Sequence, residues 1–144
     1  MDALLSAFAL VATPAIFGVL TLGVIGGILV GAAPGLTSTI AIGLLIPFTY
    51  GMSKYMAFAL LLGIYCGSMY GGSIPAVLMN LPGTPSSAVT AIDGYPMSRK
   101  GRGGEALAIT LMAAVCGGLI SCAFLILLAP QLAFLATAFA APEY

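Results

Sequence analysis

Charged residues divide the chain into three long apolar stretches: residues 3–53, 55–92 and 106–142 contain no Asp, Glu, Lys or Arg. A membrane-crossing helix needs about 20 predominantly apolar residues. The first stretch could hold two passes and the others one or two each, which predicts four to six membrane-embedded segments, some of them short. Residues 2–12 form a short apolar helix candidate. Thr13-Pro14 reads as a helix start, with a capping residue followed by proline at the first helical position, and Ala15 to Ala33 suits a full span. Ile40 to Phe48 is apolar but too short to cross alone, and Pro47 with a Thr49-Tyr50-Gly51 turn closes it. Tyr55 to Tyr70 is the next helix candidate, broken at Gly71-Gly72-Ser73-Ile74-Pro75. Ala76 to Met79 is a short apolar stretch, and Ala88 to Ile92 gives one or two turns before an Asp93-Gly94-Tyr95-Pro96 turn. Glu105 to Leu128 is the cleanest span, stopping at Ala129-Pro130, after which Gln131 to Ala140 begins another apolar segment.

Glycine punctuates these helices regularly. Gly23, Gly27, Gly31 and Gly35 recur every four residues, as do Gly63, Gly67 and Gly71. That spacing lays a flat strip along one helix face, where a second helix backbone can approach closely. Tight helix packing is the expected use of both strips.

Composition narrows the class. Of 144 residues, 61% are hydrophobic and 6% are charged, against roughly 25% charged in an average soluble domain. Too few polar groups remain to cover a soluble globule, and the basic surface of a nucleic-acid binder is missing. The chain reads as an all-α integral membrane protein with several transmembrane helices and broken or re-entrant helical elements. Its only early charge is Asp2, which does not suit a signal peptide, since that needs a basic start. The one dense charge cluster, Arg99, Lys100, Arg102 and Glu105, is expected on the cytoplasmic side. Asp93 and Glu105, beside it, are expected to cap turns or form local ion pairs. Cys66, Cys116 and Cys122 are odd in number and sit in apolar runs, so they are expected to be free and buried. With no His and no acid deep in a span, neither a catalytic set nor a proton relay is visible. The reading is not an enzyme, with no cofactor.

Two elements stand out inside the apolar sequence. One is Pro34 to Thr39, the other Gly71 to Ser87. A helix break in lipid leaves backbone N–H and C=O groups unpaired at several kcal/mol each unless protein or a water-filled cavity supplies partners. Half-helix N-termini offer free N–H groups to an anion, and unwound carbonyls can coordinate Na⁺. Thr37, Ser38, Thr39, Ser73, Asn80, Thr84, Ser86 and Ser87 add neutral hydrogen-bonding groups there. The combination suits an anionic solute together with a cation. A purely structural pair of kinks repaired by hydroxyls is the competing reading. The breaks resemble each other, Ala33-Pro34-Gly35-Leu36-Thr37-Ser38 against Leu81-Pro82-Gly83-Thr84-Pro85-Ser86.

At these residues the sequence resembles the large membrane subunit of the tripartite tricarboxylate transporters, the TctA family. The resemblance rests on Gly31 to Thr37 and Leu44 to Thr49. It rests more strongly on Tyr70-Gly71-Gly72-Ser73, on Asn80 to Ser87, and on Thr90 to Met97 leading to Gly101, Ala106 and Leu107. It covers about Gly23 to Tyr144. It implies a multi-pass bacterial inner-membrane carrier working with a small membrane subunit and a periplasmic solute-binding protein. Such a carrier imports citrate or related carboxylates by symport with a cation, Na⁺ being the candidate. Carried over by resemblance, the solute site is Pro34, Gly35, Thr37, Ser73, Asn80, Pro82, Gly83 and Ser86, with the cation near the Gly35, Gly72 and Gly83 backbone. Thr37-Ser38-Thr39 stands where many relatives are expected to have another Gly- or Pro-rich step, which bears on substrate identity rather than class. Family members look several times longer, with a second half repeating the Pro-Gly motif. Residues 1–144 are therefore expected to be a single membrane domain resembling the N-terminal part of such a permease, with the second half absent. The alternative is a truncated, non-transporting scaffold or assembly partner whose glycine strips pack against a longer homologous subunit. A small efflux pump fits the length but would be expected to carry a buried acid.

Overall fold

The computed structural model of the chain describes residue 9 and residues 11–139. Among these residues the structure is helical, without strands. The helices are α1 (Pro14–Ala32), α2 (Ser38–Thr49), α3 (Lys54–Gly71), α4 (Ser73–Met79), α5 (Ser87–Met97) and α6 (Gly103–Phe139). A tight link, Ser98–Arg102, joins α5 to α6 and contains Gly101 at φ 78°. Three helical stretches are long and apolar enough to cross a membrane: Pro14–Ala32, Lys54–Met79 and Ser87–Ala129, while Ser38–Thr49 is apolar but shorter. At 1.5 Å per residue α1 is about 28 Å long, close to the roughly 30 Å hydrocarbon core. By the same rise α2 reaches only about 18 Å and cannot cross by itself.

The chain forms two compact units, residues 1–110 and 111–144. The first is organised around α1 and α3, and its interface is made by backbone rather than side chains. Gly23, Gly27 and Gly31 of α1 and Gly63, Gly67 and Gly71 of α3 are all buried. A β-carbon built on Gly23 would lie 2.7 Å from the Leu60 carbonyl oxygen, and one on Gly63 would lie 2.7 Å from the Leu20 oxygen. On Gly27 it would strike the Ile64 oxygen, and on Gly67 the Val24 oxygen. The two strips thus face each other, each filling the groove that the other leaves open. In lipid, where no hydrophobic driving force acts between helices, such close approach is what holds them together. It also occupies the strips, so they are not free to pack against another subunit as the scaffold reading required. Gly35 is not part of the strip: it is exposed, at φ 93°, with open space where a β-carbon would go.

The second unit is the helix from Leu111 to Phe139, whose side chains from Leu111 to Ala129 are all exposed. Exposed Leu, Ile, Val and Phe suit a lipid-facing surface. The three cysteines follow the same rule: Cys66, Cys116 and Cys122 are free but exposed, not buried as expected. Outward-facing apolar side chains are ordinary when the solvent is a bilayer.

Several boundaries differ from the sequence reading. The helix candidate at 2–12 falls largely outside the described residues. The break expected at Gly71 to Pro75 is only an articulation: Gly72 keeps helical angles (φ −63°, ψ −22°) and α4 starts at once. Pro75 sits in the first turn of α4, where its missing N–H costs nothing. The Asp93-Gly94-Tyr95-Pro96 turn is instead helical, because Gly94 is buried against Val77 and α5 runs on to Met97. Pro47 lies inside α2. Pro130 does not end the last span, which continues to Phe139, since a single lost backbone bond does not outweigh apolar helix-forming neighbours on both sides.

The true break is at residues 80–86. Asn80 ends α4 in the left-handed region (φ 58°, ψ 30°), and its N–H donates to the Ala76 carbonyl at 3.2 Å. Asn tolerates this conformation better than other side chains. Replacing Asn80 with Ala is expected to cost about 1 kcal/mol and Asn80→Gly to be neutral, as read by thermal unfolding in detergent.

Candidate functional site

The loop after Asn80 folds back onto the point where α1 ends and α3 meets α4. The Gly83 N–H donates to the Gly72 carbonyl at 3.2 Å. A β-carbon on Gly83 would strike the Gly31 carbonyl oxygen and come within 3.0 Å of the Gly72 α-carbon. Gly72 in turn has no room, since its β-carbon would meet Thr84 Oγ1 at 2.7 Å. Three backbone segments therefore cross at Gly31, Gly72 and Gly83.

Ser87 repairs the backbone left open by the break. Its hydroxyl accepts from the Thr84 N–H at 3.1 Å and donates to the Thr84 carbonyl at 2.7 Å, while it is 1% exposed. The Thr84 and Ser86 hydroxyls pair at 3.1 Å. At the other break, Ala33-Pro34-Gly35-Leu36 makes a turn closed by a 3.2 Å bond from the Leu36 N–H to the Ala33 carbonyl. Thr37 then caps α2, its hydroxyl accepting from the Ile40 N–H at 3.4 Å.

These two repaired ends share one cavity of about 380 Å³. It is lined by Thr37, Ser38 and Thr39 from the first break, Thr84, Pro85 and Ser86 from the second, and Tyr65 and Met69 of α3. The volume falls in the range of small-molecule sites, roughly 300–1,000 Å³. No charged side chain lines it. Thr37, Ser38, Thr39 and Tyr65 keep hydroxyl hydrogens to donate, and one of the Thr84–Ser86 pair does too. A hydrogen bond to a charged group is worth about 1.5–3 kcal/mol. Three or four of them, with the N-termini of α2 and α5 nearby, can offset the several kcal/mol of desolvating one carboxylate.

Of the eight residues carried over from the family, Thr37 and Ser86 line this cavity. Gly83 is buried in the backbone crossing, and Ser73 is buried at the start of α4, 5% exposed. Pro34, Gly35, Asn80 and Pro82 are exposed in the two loops. Of the backbone groups considered for a cation, the Gly72 carbonyl already accepts from Gly83. Tyr65, Met69 and Pro85 were not foreseen. Tyr65 and Met69 stand four residues apart on one face of α3, away from its glycine strip, and only the position of α2 relative to that face makes them part of a site.

A second cavity, about 260 Å³, lies between Val11, Ile16 and Leu20 and the start of α3 (Tyr55, Phe58, Ala59, Leu62), and is almost wholly apolar. It offers no chemistry beyond contact with acyl chains. A third, about 230 Å³, is lined by Val89, Thr90, Asp93, Gly94, Met97, Ala106, Ile109 and Thr110. Glu105 forms the local ion pair expected of it, with Arg102 Nε donating to Oε2 at 2.7 Å and Nη2 to Oε1 at 2.6 Å. Asp93 does not: it lies inside α5, not in a turn, and among the described residues no basic side chain pairs with it. Its helix continues past it because of the Gly94–Val77 contact.

Comparison with known proteins fits this architecture. Residues 17–144 match the tripartite tricarboxylate transporter TctA family. The chain is 49% identical over 122 residues to an uncharacterized 52.8 kDa protein in the TAR-I ttuC' 3' region of Agrobacterium vitis. That alignment covers 85% of this chain and 24% of the relative, so the chain spans about a quarter of the relative's length. No solved structure matches.

Proposed function

The chain belongs to the tripartite tricarboxylate transporter TctA family, and from this premise we propose that it is part of a membrane permease importing citrate-like tricarboxylates or related small carboxylates. It works with a small membrane subunit and a periplasmic solute-binding protein in the bacterial inner membrane, and a cation gradient drives it. The basic link at Arg99, Lys100 and Arg102 faces the cytoplasm, as positive loops do. The observation that carries this reading is the 380 Å³ cavity into which two separate helix breaks, 48 residues apart at their prolines (82 − 34), both deliver hydroxyls. The neutral lining suits a carrier, which must bind its solute and then release it.

The test is uptake of labelled citrate by the complete transporter carrying changes in the lining. Thr37→Val and Ser86→Ala each remove one donor or its partner. Each is expected to raise the apparent KM about 10-fold, the equivalent of one charge-assisted hydrogen bond, with little change in the amount of protein in the membrane. An unchanged KM in both variants would reject the cavity as the solute site.

A further inference from the structure

We propose that the apolar groove between the N-terminal halves of α1 and α3 holds an acyl chain of an anionic phospholipid, with the lipid's phosphate paired to Lys54 at the groove's mouth. The groove follows from how the two helices meet. Gly23 lies against Leu60 and Gly63, Gly27 against Ile64 and Ser68, and Gly31 against Ser68. The helices therefore run in the same direction, with Pro14 and Lys54 at the same end. Close approach starts only at Gly23 and Gly63. Before them the facing side chains are large, with Ile16 and Leu20 on α1 and Phe58 and Leu62 on α3, and they hold the helices apart. The wedge left between them is the almost wholly apolar cavity of about 260 Å³. That is below the roughly 300 Å³ at which small-molecule sites begin, so it takes a segment of one chain rather than a whole ligand.

Charge complementarity selects the occupant. Lys54 is the only charged residue between Asp2 and Asp93. It is exposed, and among the described residues no carboxylate pairs with it. It stands one turn before Phe58 on the same helix face, next to Tyr55 of the groove wall. The rule that places basic loops in the cytoplasm does not account for it. Lys54–Met79 is a single apolar crossing. A β-carbon on Gly103, just after the basic link, would lie 3.3 Å from Leu78 Cδ2, and Leu78 is about 36 Å from Lys54 by helical rise. The link and Lys54 are thus at opposite membrane faces. With the link cytoplasmic, as in the reading above, Lys54 lies on the outer face, where basic residues are disfavoured. Its stem can lie along Phe58 with the ammonium among the headgroups. A cation above an apolar wedge matches an amphiphile with an anionic head and an apolar tail, and basic pockets between membrane helices bind such headgroups. A partner helix is a poorer fit, since large branched and aromatic side chains line the wedge instead of the small residues that let helices close up.

The experiment titrates phosphatidylglycerol, and separately phosphatidylethanolamine with the same acyl chains, into the delipidated complete transporter, with binding resolved by native mass spectrometry. Wild type is expected to hold one phosphatidylglycerol more tightly than any phosphatidylethanolamine. Lys54→Gln should weaken that lipid about 5-fold, the worth of one basic side chain near an anionic headgroup. Lys54→Arg should restore it, and Lys100→Gln, at the other membrane face, should leave it unchanged. Ala59→Trp, which fills the wedge, should weaken both lipids; if it does not purify, Leu20→Trp fills the same wedge from α1. Equal affinity of wild type for the two lipids overturns the proposal, as does binding that neither kind of variant changes. A loss only in the tryptophan variant would mean a tail held without its head. A loss only in Lys54→Gln would mean a surface ion pair without the groove. Either overturns the proposal as well. The solute reading fails separately, through an unchanged citrate KM in the cavity variants.

Discussion

Replacing Gly27 with leucine is expected to prevent α1 from docking on α3, leaving little or no transporter that survives detergent extraction as a monodisperse species. A β-carbon at this position alone would strike the Ile64 carbonyl oxygen and reach 2.9 Å from the Ile64 α-carbon and the Ser68 nitrogen. Overpacking a core usually costs about 1–3 kcal/mol because side chains can shift. Here the obstacle is backbone, so the helices themselves must separate. Separation would also expose Gly63, Gly67 and Gly71, whose close contacts are all on α1. Gly26 is the control: it is adjacent in sequence, has nothing within 4 Å, and Gly26→Leu should be extracted at wild-type yield. Equal yields of the two variants would show that the strip does not hold the helices together.

The second large effect separates two identical dipeptides. Gly83→Ala is expected to abolish citrate uptake, whereas Gly35→Asn should retain most of it. Gly83 is needed for space, since it lies against the Gly31 carbonyl and the Gly72 α-carbon. A methyl group there pushes the 80–86 loop off the end of α1 and carries Thr84 and Ser86 away from Thr37. Gly35 is needed for conformation, since φ is 93° and the surrounding space is open. Asn tolerates positive φ at modest cost, while Gly35→Ala should lose about 1 kcal/mol of stability by the same preference. If both variants transport alike, the crossing at Gly31, Gly72 and Gly83 does not position the cavity.

The sequence made some of this legible and hid the rest for a physical reason. Charge gaps and hydropathy report the solvent that each segment meets, so the membrane class and the helices near 15–33, 55–70 and after Glu105 follow from them directly. Four-residue glycine spacing reports a helix face, so both strips could be drawn. Pro and Gly report local backbone freedom, but they misplaced breaks at 71–75, 93–96 and 129–130. There, tertiary contacts such as Gly94 on Val77, or long apolar neighbours, kept the helix going.

Residue order by itself therefore determined the solvent and the presence of two hydroxyl-rich breaks, but not the count of spans: four to six membrane-embedded segments were expected, and three helices among the described residues are long and apolar enough to cross. Only the tertiary structure decided that the strips of α1 and α3 face each other. It alone brought Thr37 to Thr39 beside Thr84 to Ser86, added Tyr65 and Met69, and set Asp93 inside a helix rather than in a turn. Composition and spacing act over one or two helical turns. Which faces meet is set by backbone shape complementarity between segments tens of residues apart, and that complementarity exists only once the chain has packed.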